Sequence, residues 1–408
     1  MASDESILSY LKYTLRRPFL AFVIFLGRFI GKYFDKSLDK SRVHKILVIQ
    51  FGGIGDVIRI FPSLYLLIHE FPRASISVLT EFDEKMFNLF ANKIAISTFV
   101  QLDPKKRHKS FFSKLRLIKS LREQNFDLIL HPGYGYGMME FSIISWLIGA
   151  PYRIGFKKNG AGFLNTTKIE LLEETPIVEQ QVDLLSEAGI GQRNHNGEQY
   201  MCIKEDYRVF ARKFYDSHGL ANHELVVTIH PGSKWEIGGR SWSLEKYKQL
   251  IEEIVQKYGA KVIILGSHEE DLIARTLKDK IANENIRTNV INAAGYTTIG
   301  QAGAIIASSN LFVGNDSGLL HIAIGYNVPA VGIFGFTASK QVIPSNCNCI
   351  SVETDLSCRP CYCHQPLFKF NCKSPACLTR ISVMDVMKHV SAMLDNTNRD
   401  TIVLSLKD

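Results

Sequence analysis

Short apolar runs and longer helical patterns alternate along most of the chain. In the first half, Ile46–Gln50, Ile76–Leu79, Thr98–Leu102 and Phe126–His131 read as strands, and the apolar spacing from Asp56 to His69 predicts a helix directly after the first of them. Strands separated by helices build a parallel, doubly wound sheet. Periodicity fades over residues 157–206, which include the polar run "GQRNHNGEQ". It restarts with Leu225–His230, a helix over Leu244–Tyr258, Lys261–Leu265, a helix near Glu270–Ile281, Val290–Ala293, a helix across Ile299–Ser308, Leu311–Val313 and Ala330–Phe334. The restart predicts two α/β units, 45–205 and 206–390, followed by a tail over 391–408. Sheets of this kind bind ligands at the carboxyl ends of their strands, so a cleft between two facing sheets can bring two substrates together.

With 408 residues, 46% hydrophobic and 22% charged, the chain has material for two globular cores. The formal net charge of +8 is unevenly spread, with nine Lys and Arg against four Asp and Glu in the first 45 residues. Within residues 1–44 the uncharged core runs only from Pro18 to Gly27, about half of the roughly 20 residues that a spanning helix needs. No small-residue cleavage site follows, so the segment does not read as a signal peptide. It reads as an in-plane amphipathic anchor. Phe19, Leu20, Phe22, Val23, Phe25 and Leu26 would enter the interface, while Arg16, Arg17, Arg28 and Lys32 meet anionic headgroups at about 1 kcal/mol each. A helix packed on its own domain is the competing reading. A second basic stretch, Lys105–Arg122, holds eight Lys and Arg and no acid. It is either a solvated helix face or a surface for an acidic acceptor or the same membrane. Neither stretch carries a motif that reads nucleic acid, so none is expected as a partner.

The stretch "KILVIQFGGIGDVIRIFP" (Lys45–Pro62) runs from strand through glycine turn to helix, as a nucleotide-binding unit opens, with free N–H groups at the helix start to hold a phosphate. Gly52, Gly53 and Gly55 make the turn, but Ile58 takes the place of the third glycine of the dinucleotide fingerprint. Asp56 also stands at the helix start, where its charge repels phosphate. The attraction of a helix end for an anion, about 0.3–1 kcal/mol, is too small to offset that repulsion. The carboxylate can instead take a proton from a sugar hydroxyl, a general-base role worth about 10²- to 10⁴-fold in rate. It can also cap the helix, worth around 1 kcal/mol. The two roles are compatible.

Two turns in the second half carry complementary chemistry. In "TIHPGSKWEIGGRSW", Gly232 and Ser233 form a polar turn after a strand, and Lys234 and Arg240 can neutralise charge growing on a departing diphosphate. In "LFVGNDSGLLHIAIG", Ser317 and Gly318 present hydroxyl and N–H groups at a helix N-terminus, with His321 in its first turn.

Together, "GGIGDVIRIFP", "HPGSKWEIGGRSW" and "NDSGLLHIAIG" resemble glycosyltransferase family nine, the heptosyltransferases of lipopolysaccharide core assembly, over roughly residues 45–390. The resemblance implies a GT-B fold of two Rossmann-like domains facing a central cleft. It also implies metal-independent inverting transfer, an ADP-heptose donor, a lipid-linked saccharide acceptor, and a cytoplasmic enzyme peripheral to the inner membrane. By position, Asp56 would be the base on the acceptor hydroxyl and Arg240 the phosphate-contacting cation. Ser317, Gly318 and His321 would hold the donor diphosphate, with Ser233 and Lys234 beside them, and Asp316 would face the donor sugar. The insert "EIGG" before Arg240 and the Arg itself depart from the family pattern, and a forked guanidinium grips diphosphate differently from Lys. On this division the front glycine turn never has to hold phosphate. A nucleotide-sugar epimerase of the same fold, or a non-catalytic sugar-nucleotide-binding protein at the membrane, would share the architecture.

Seven of the eight cysteines lie between Cys347 and Cys377. Cys358, Cys361, Cys372 and Cys377 have plausible spacing for a structural zinc. Reduced loop thiols and disulfides are the alternatives, and a cytosolic compartment disfavours the last. The glycines of "HPGYGYGMME" suggest a loop facing the cleft.

Overall fold

Each predicted unit is built on one parallel sheet. The structure, a computed structural model, describes residues 22, 25–91, 93–103, 110–134, 136–191, 200–220, 225–232, 241–361, 372 and 375–396. In the front unit the strands β1 (Lys45–Gln50), β2 (Ser75–Thr80), β3 (Ile96–Gln101), β4 (Leu128–His131) and β5 (Tyr152–Gly155) lie in the order β3-β2-β1-β4-β5. In the rear unit β6 (Val226–His230), β7 (Lys261–Ile264), β8 (Val290–Asn292), β9 (Leu311–Asn315), β10 (Ala330–Ile333) and β11 (Cys349–Val352) lie in the order β11-β10-β9-β6-β7-β8. Both sheets are therefore Rossmann-like. Their order reverses between β1 and β4 and between β6 and β9, which is where such sheets bind ligands.

The central strands explain their own sequences. β1 pairs with β2 and β4, Ile46 lying opposite Ile76 on one side and Leu128 on the other. Helices cover both faces, so Ile46 to Ile49 are all buried and the strand reads as an unbroken apolar run. Buried residues of the two units join in one cluster that includes Val57 and Ile58 of the front and Leu319 and Ile322 of the rear. The carboxyl ends of β1 and β9 thus face one another across a packed contact.

Several elements differ from the pattern-based expectation. The single helix expected from Asp56 to His69 is two, Ile54–Arg59 and Phe61–Glu70. Pro62 lies in the first turn of the second, where its missing N–H is harmless; inside one continuous helix it would remove a bond and clash with the preceding turn. The aperiodic stretch holds a helix, Ile177–Glu187. The glycine loop after β4 is short, because the helix Tyr136–Ile148 begins within it. A final helix, Val383–Asn396, packs on β9 and β10 and runs past residue 390.

The described part of the N-terminal segment packs on its own unit and leaves an apolar face exposed. Arg28 Nε donates to the Asn159 carbonyl, Lys168 Nζ donates to the Gly31 carbonyl at 3.1 Å and pairs with Asp35, and Phe34 meets Phe163 edge to face. Yet Phe22, Phe25, Leu26, Phe29, Ile30 and Tyr33 are exposed. Arg16, Arg17, Phe19 and Leu20 lie outside the described residues. Among the described residues no helix is long and apolar enough to cross a membrane.

Candidate active site

The glycine turn after β1 is filled from within. Gly52 adopts φ +115°, and a Cβ there would lie 2.4 Å from Asp56 Oδ2, so the position requires glycine. Gly53 stands just before the helix, and its N–H donates to Asp56 Oδ2 at 2.6 Å. Asp56 is therefore the third helical residue reaching back to the start, half of a capping box, rather than the cap itself. The N–H that would point at a phosphate is consumed by this carboxylate.

The other oxygen, Asp56 Oδ1, accepts from Arg59 Nη2 and from the Tyr134 hydroxyl. Arg59 Nη2 also donates to the Tyr134 oxygen, closing a triangle. Arg59 follows Asp56 by three positions on one helix, and Tyr134 comes three residues after β4, the strand beside β1. Burial pushes the Asp56 carboxyl up, but the Arg59 charge and the bonds from Tyr134 and Gly53 outweigh it and hold the pKa below the ordinary carboxylate value. Asp56 is ionised at neutral pH and tightly held.

In the rear unit Asp316 follows β9. Its Oδ2 accepts from Thr337 Oγ1 at 2.8 Å, and its Oδ1 lies 3.9 Å from His321 Nε2. Burial raises its pKa; the Thr337 bond and Arg59 oppose this, and the charge of Asp56 adds to it. Arg59, Asp56 and Asp316 therefore feel one another across the two units. His321 is buried, and burial together with the nearby Arg59 charge holds its imidazole at about 3. It would meet a diphosphate as a neutral N–H donor and not as a cation.

Ser317 Oγ is 3.0 Å from His230 Nδ1 at the end of β6, and His230 Nε2 is 3.3 Å from Glu270 Oε2. Burial raises the Glu270 pKa, but the His230 bond and the Ser267 N–H at 2.7 Å outweigh it and bring it down to about 2. A Cβ on Gly232 would lie 2.1 Å from Glu270 Oε1, so the "HPG" turn passes directly over this carboxylate. Ser233, Lys234 and Arg240 lie outside the described residues. The chain on both sides of them is gathered by one side chain: Asn315 Nδ2 donates to the Pro231 carbonyl at 3.0 Å, and its Oδ1 accepts the Trp242 N–H at 3.1 Å.

The two groups of residues meet at the helix starts. The helix Ile54–Arg59 packs against the helix Gly318–Gly325, with Gly318 so near Ile54 that a Cβ there would lie 2.6 Å from the Ile54 Cβ. Asp56, Asp316, Ser317, Gly318 and His321 are thus brought together with the turn of Gly52, Gly53 and Gly55. Sequence reasoning missed Arg59, Tyr134, His230, Glu270 and Asn315. The first carried a signal, since a cation three positions after an acid on a helix faces it. Glu270 carried none, because its proximity depends on the packing of β7 beside β6.

The cysteine segment is only partly described. Cys347, Cys349, Cys358 and Cys377 are free thiols. Burial raises the Cys361 pKa, and Cys358, Cys372 and Cys377 are close enough to raise it further. Among the described residues no group of three or more His, Cys, Asp or Glu is arranged to hold a metal ion. The zinc reading of these four thiols therefore gains no support from the described geometry.

The sequence profile of Glycosyltransferase family 9 (heptosyltransferase) matches residues 114–370. Lipopolysaccharide heptosyltransferase 3 of Escherichia coli K12 is 25% identical over 294 residues, 69% of this chain and 80% of that protein. The structure of the glycosyl transferase family 9 from Veillonella parvula DSM 2008 matches with a TM-score of 0.69 at 22% identity, over 89% of this chain and 100% of that chain. An E. coli heptosyltransferase solved with ADP-2-deoxy-2-fluoro heptose gives 0.61 at 14% identity, over 85% and 99%. At these identities the structural matches establish a shared fold, and the profile, which spans more than half of the residues, establishes that the chain belongs to glycosyltransferase family 9.

Proposed function

We propose that the protein is an inverting heptosyltransferase that moves heptose from ADP-heptose onto a lipopolysaccharide core saccharide or a related lipid-linked acceptor. The observation that carries this reading is that Asp56 fills the front glycine turn with its own carboxylate while lying near Asp316 and the Ser317–Gly318 helix start across the contact between the units. An anion is excluded from the front turn, so the front unit, 45–205, takes the acceptor and the rear unit, 206–390, takes the nucleotide sugar. The heptosyltransferase relative and the neighbour holding an ADP-heptose analogue support this donor.

In transfer, the acceptor hydroxyl oxygen attacks the anomeric carbon from the side of Asp56 and its proton passes to that carboxylate. The bond from the anomeric carbon to the diphosphate oxygen breaks, its electron pair leaves with ADP, and configuration inverts. Ser317, the N–H groups of its helix and neutral His321 donate to the diphosphate, with Ser233, Lys234 and Arg240 from the loop gathered by Asn315. Asp316 accepts from a hydroxyl of the sugar. The exposed side chains of Phe22, Phe25, Phe29 and Tyr33 rest on an anionic membrane at its cytoplasmic side and bring the site to a lipid-linked acceptor.

Asp56→Asn tests the division of labour. Transfer should fall about 10²- to 10⁴-fold, while ADP-heptose binding measured by calorimetry is unchanged. Undiminished turnover would remove Asp56 from the role of base.

A further inference from the structure

The triangle of Asp56, Arg59 and Tyr134 raises a question that the transfer chemistry leaves open. A carboxylate offers about two acceptor sites on each oxygen. Asp56 Oδ2 uses one on the Gly53 N–H, and its other side is walled by Gly52, where a single added carbon would come within 2.4 Å. Asp56 Oδ1 is therefore the oxygen open to a substrate, and both of its sites are filled, by Arg59 Nη2 and by the Tyr134 hydroxyl. As it stands, the base has no place for an incoming alcohol.

Arg59 is the less exchangeable of the two partners. Its side chain is 10% exposed, it shares a helix with Asp56, and it neutralises the carboxylate. Removing it would strand a buried charge. Tyr134 differs in kind. Its hydroxyl is the same O–H donor that a sugar presents, and a phenol, with a pKa near 10, lends its hydrogen bond to a carboxylate without giving up the proton. Arg59 holds the phenol from one side, through Nη2 and with its guanidinium carbon 5.6 Å from the ring centre. Tyr134 comes from the β4 side of the β1–β4 reversal, the place where a ligand of the front sheet belongs.

Resting on the reading of Asp56 as the base, we propose that Tyr134 caps it: the phenol occupies the place that the acceptor hydroxyl takes in transfer, and it denies that place to water. An acceptor displaces the phenol by exchanging one hydroxyl for another on Asp56 Oδ1, a like-for-like replacement in which the tyrosine side chain turns away and releases Arg59 Nη2 as well. Without the cap, a water oxygen attacks the anomeric carbon and its proton passes to Asp56. The bond to the diphosphate oxygen breaks with the electron pair leaving on ADP, and free heptose is lost. The cap thus sets preference for alcohol over water through occupancy of the base.

Among the described residues, the charged and titratable groups that act on Asp56 or feel its charge are Arg59 on its own helix, Tyr134 after β4, and Asp316 and His321 from the rear unit. Tyr134→Phe removes only the hydroxyl. ADP release from ADP-heptose with no acceptor present should rise about ten- to hundredfold, the worth of one hydrogen bond to a charged group, and the acceptor KM should fall by a similar factor. The acid limb of kcat/KM should move to higher pH, because a bond favouring the ionised carboxylate is gone. Melting curves establish that the variant is folded, and Asp56→Asn in the Tyr134→Phe background should return hydrolysis to the wild-type level or below. Wild-type hydrolysis in Tyr134→Phe, with an unchanged or raised acceptor KM, overturns the cap while leaving the base in place. Transfer that survives Asp56→Asn overturns the base, and the cap with it.

Discussion

Gly55 and His321 touch across the contact between the two units, so closely that a Cβ built on Gly55 would lie 2.2 Å from His321 Cδ2 and 2.7 Å from its Nε2. The absence of a side chain at Gly55 lets the helix that carries Asp56 approach the helix that carries the donor-side groups. His321 is itself buried between them, neutral, and 3.9 Å from Asp316. A histidine expected only to hold diphosphate is thus also part of the joint between acceptor and donor halves.

Gly55→Ala should separate the halves by a fraction of a bond length at this point. A displacement of about 1 Å between reacting groups costs about 10²-fold in rate. The expected outcome is a fall of that order in kcat/KM, with both units still folded by circular dichroism and ADP-heptose still bound. Transfer at the wild-type rate would show that the close approach does not set the reacting geometry.

Acid sensitivity follows from two buried histidines. His131, wholly buried with Nε2 2.6 Å from Asn165 Oδ1, is held at about 4 by burial, and His321 at about 3. In the unfolded chain each titrates near 6.5. Between those values the unfolded chain binds protons that the folded chain does not, so stability is present above about pH 6.5 and is lost on acidification towards the folded values, by about 1.4 kcal/mol per pH unit for each histidine. Urea unfolding over a series of pH values should show this slope, and His321→Gln should remove the share of one histidine. A variant with the parental slope would mean that His321 is not kept neutral.

Membrane attachment can be tested without truncation. Removing residues 1–40 would also remove the contacts of Arg28, Gly31 and Phe34 with the loop after β5, so loss of binding could reflect damage to the front unit. Phe25 and Phe29 are 52% and 65% exposed and pack edge to face on one another. Replacing both by Ser should leave stability within about 0.5 kcal/mol, as exposed substitutions do. It should weaken sedimentation with vesicles of anionic phospholipid and leave transfer to a soluble acceptor fragment intact. Undiminished vesicle binding would remove this face from the contact.

The sequence by itself determined the two sheets and most of their strands, because a parallel strand buried on both faces must be written as a continuous apolar run bounded by turns, as in β1, β6 and β9. It also marked Asp56, Asp316, Ser317, Gly318 and His321, since chemistry placed at the carboxyl end of a strand has a local signature. The break at Ile60 was present in Pro62 and was overlooked. Only the tertiary structure decided that these residues come together, through the Gly55–His321 and Gly318–Ile54 contacts, which join positions more than two hundred residues apart. It alone brought Tyr134 onto Asp56, Glu270 beneath Gly232, and Asn315 to both sides of the donor loop. Each of these depends on which strands lie side by side, and strand order is set by packing between elements rather than by any pattern within one of them.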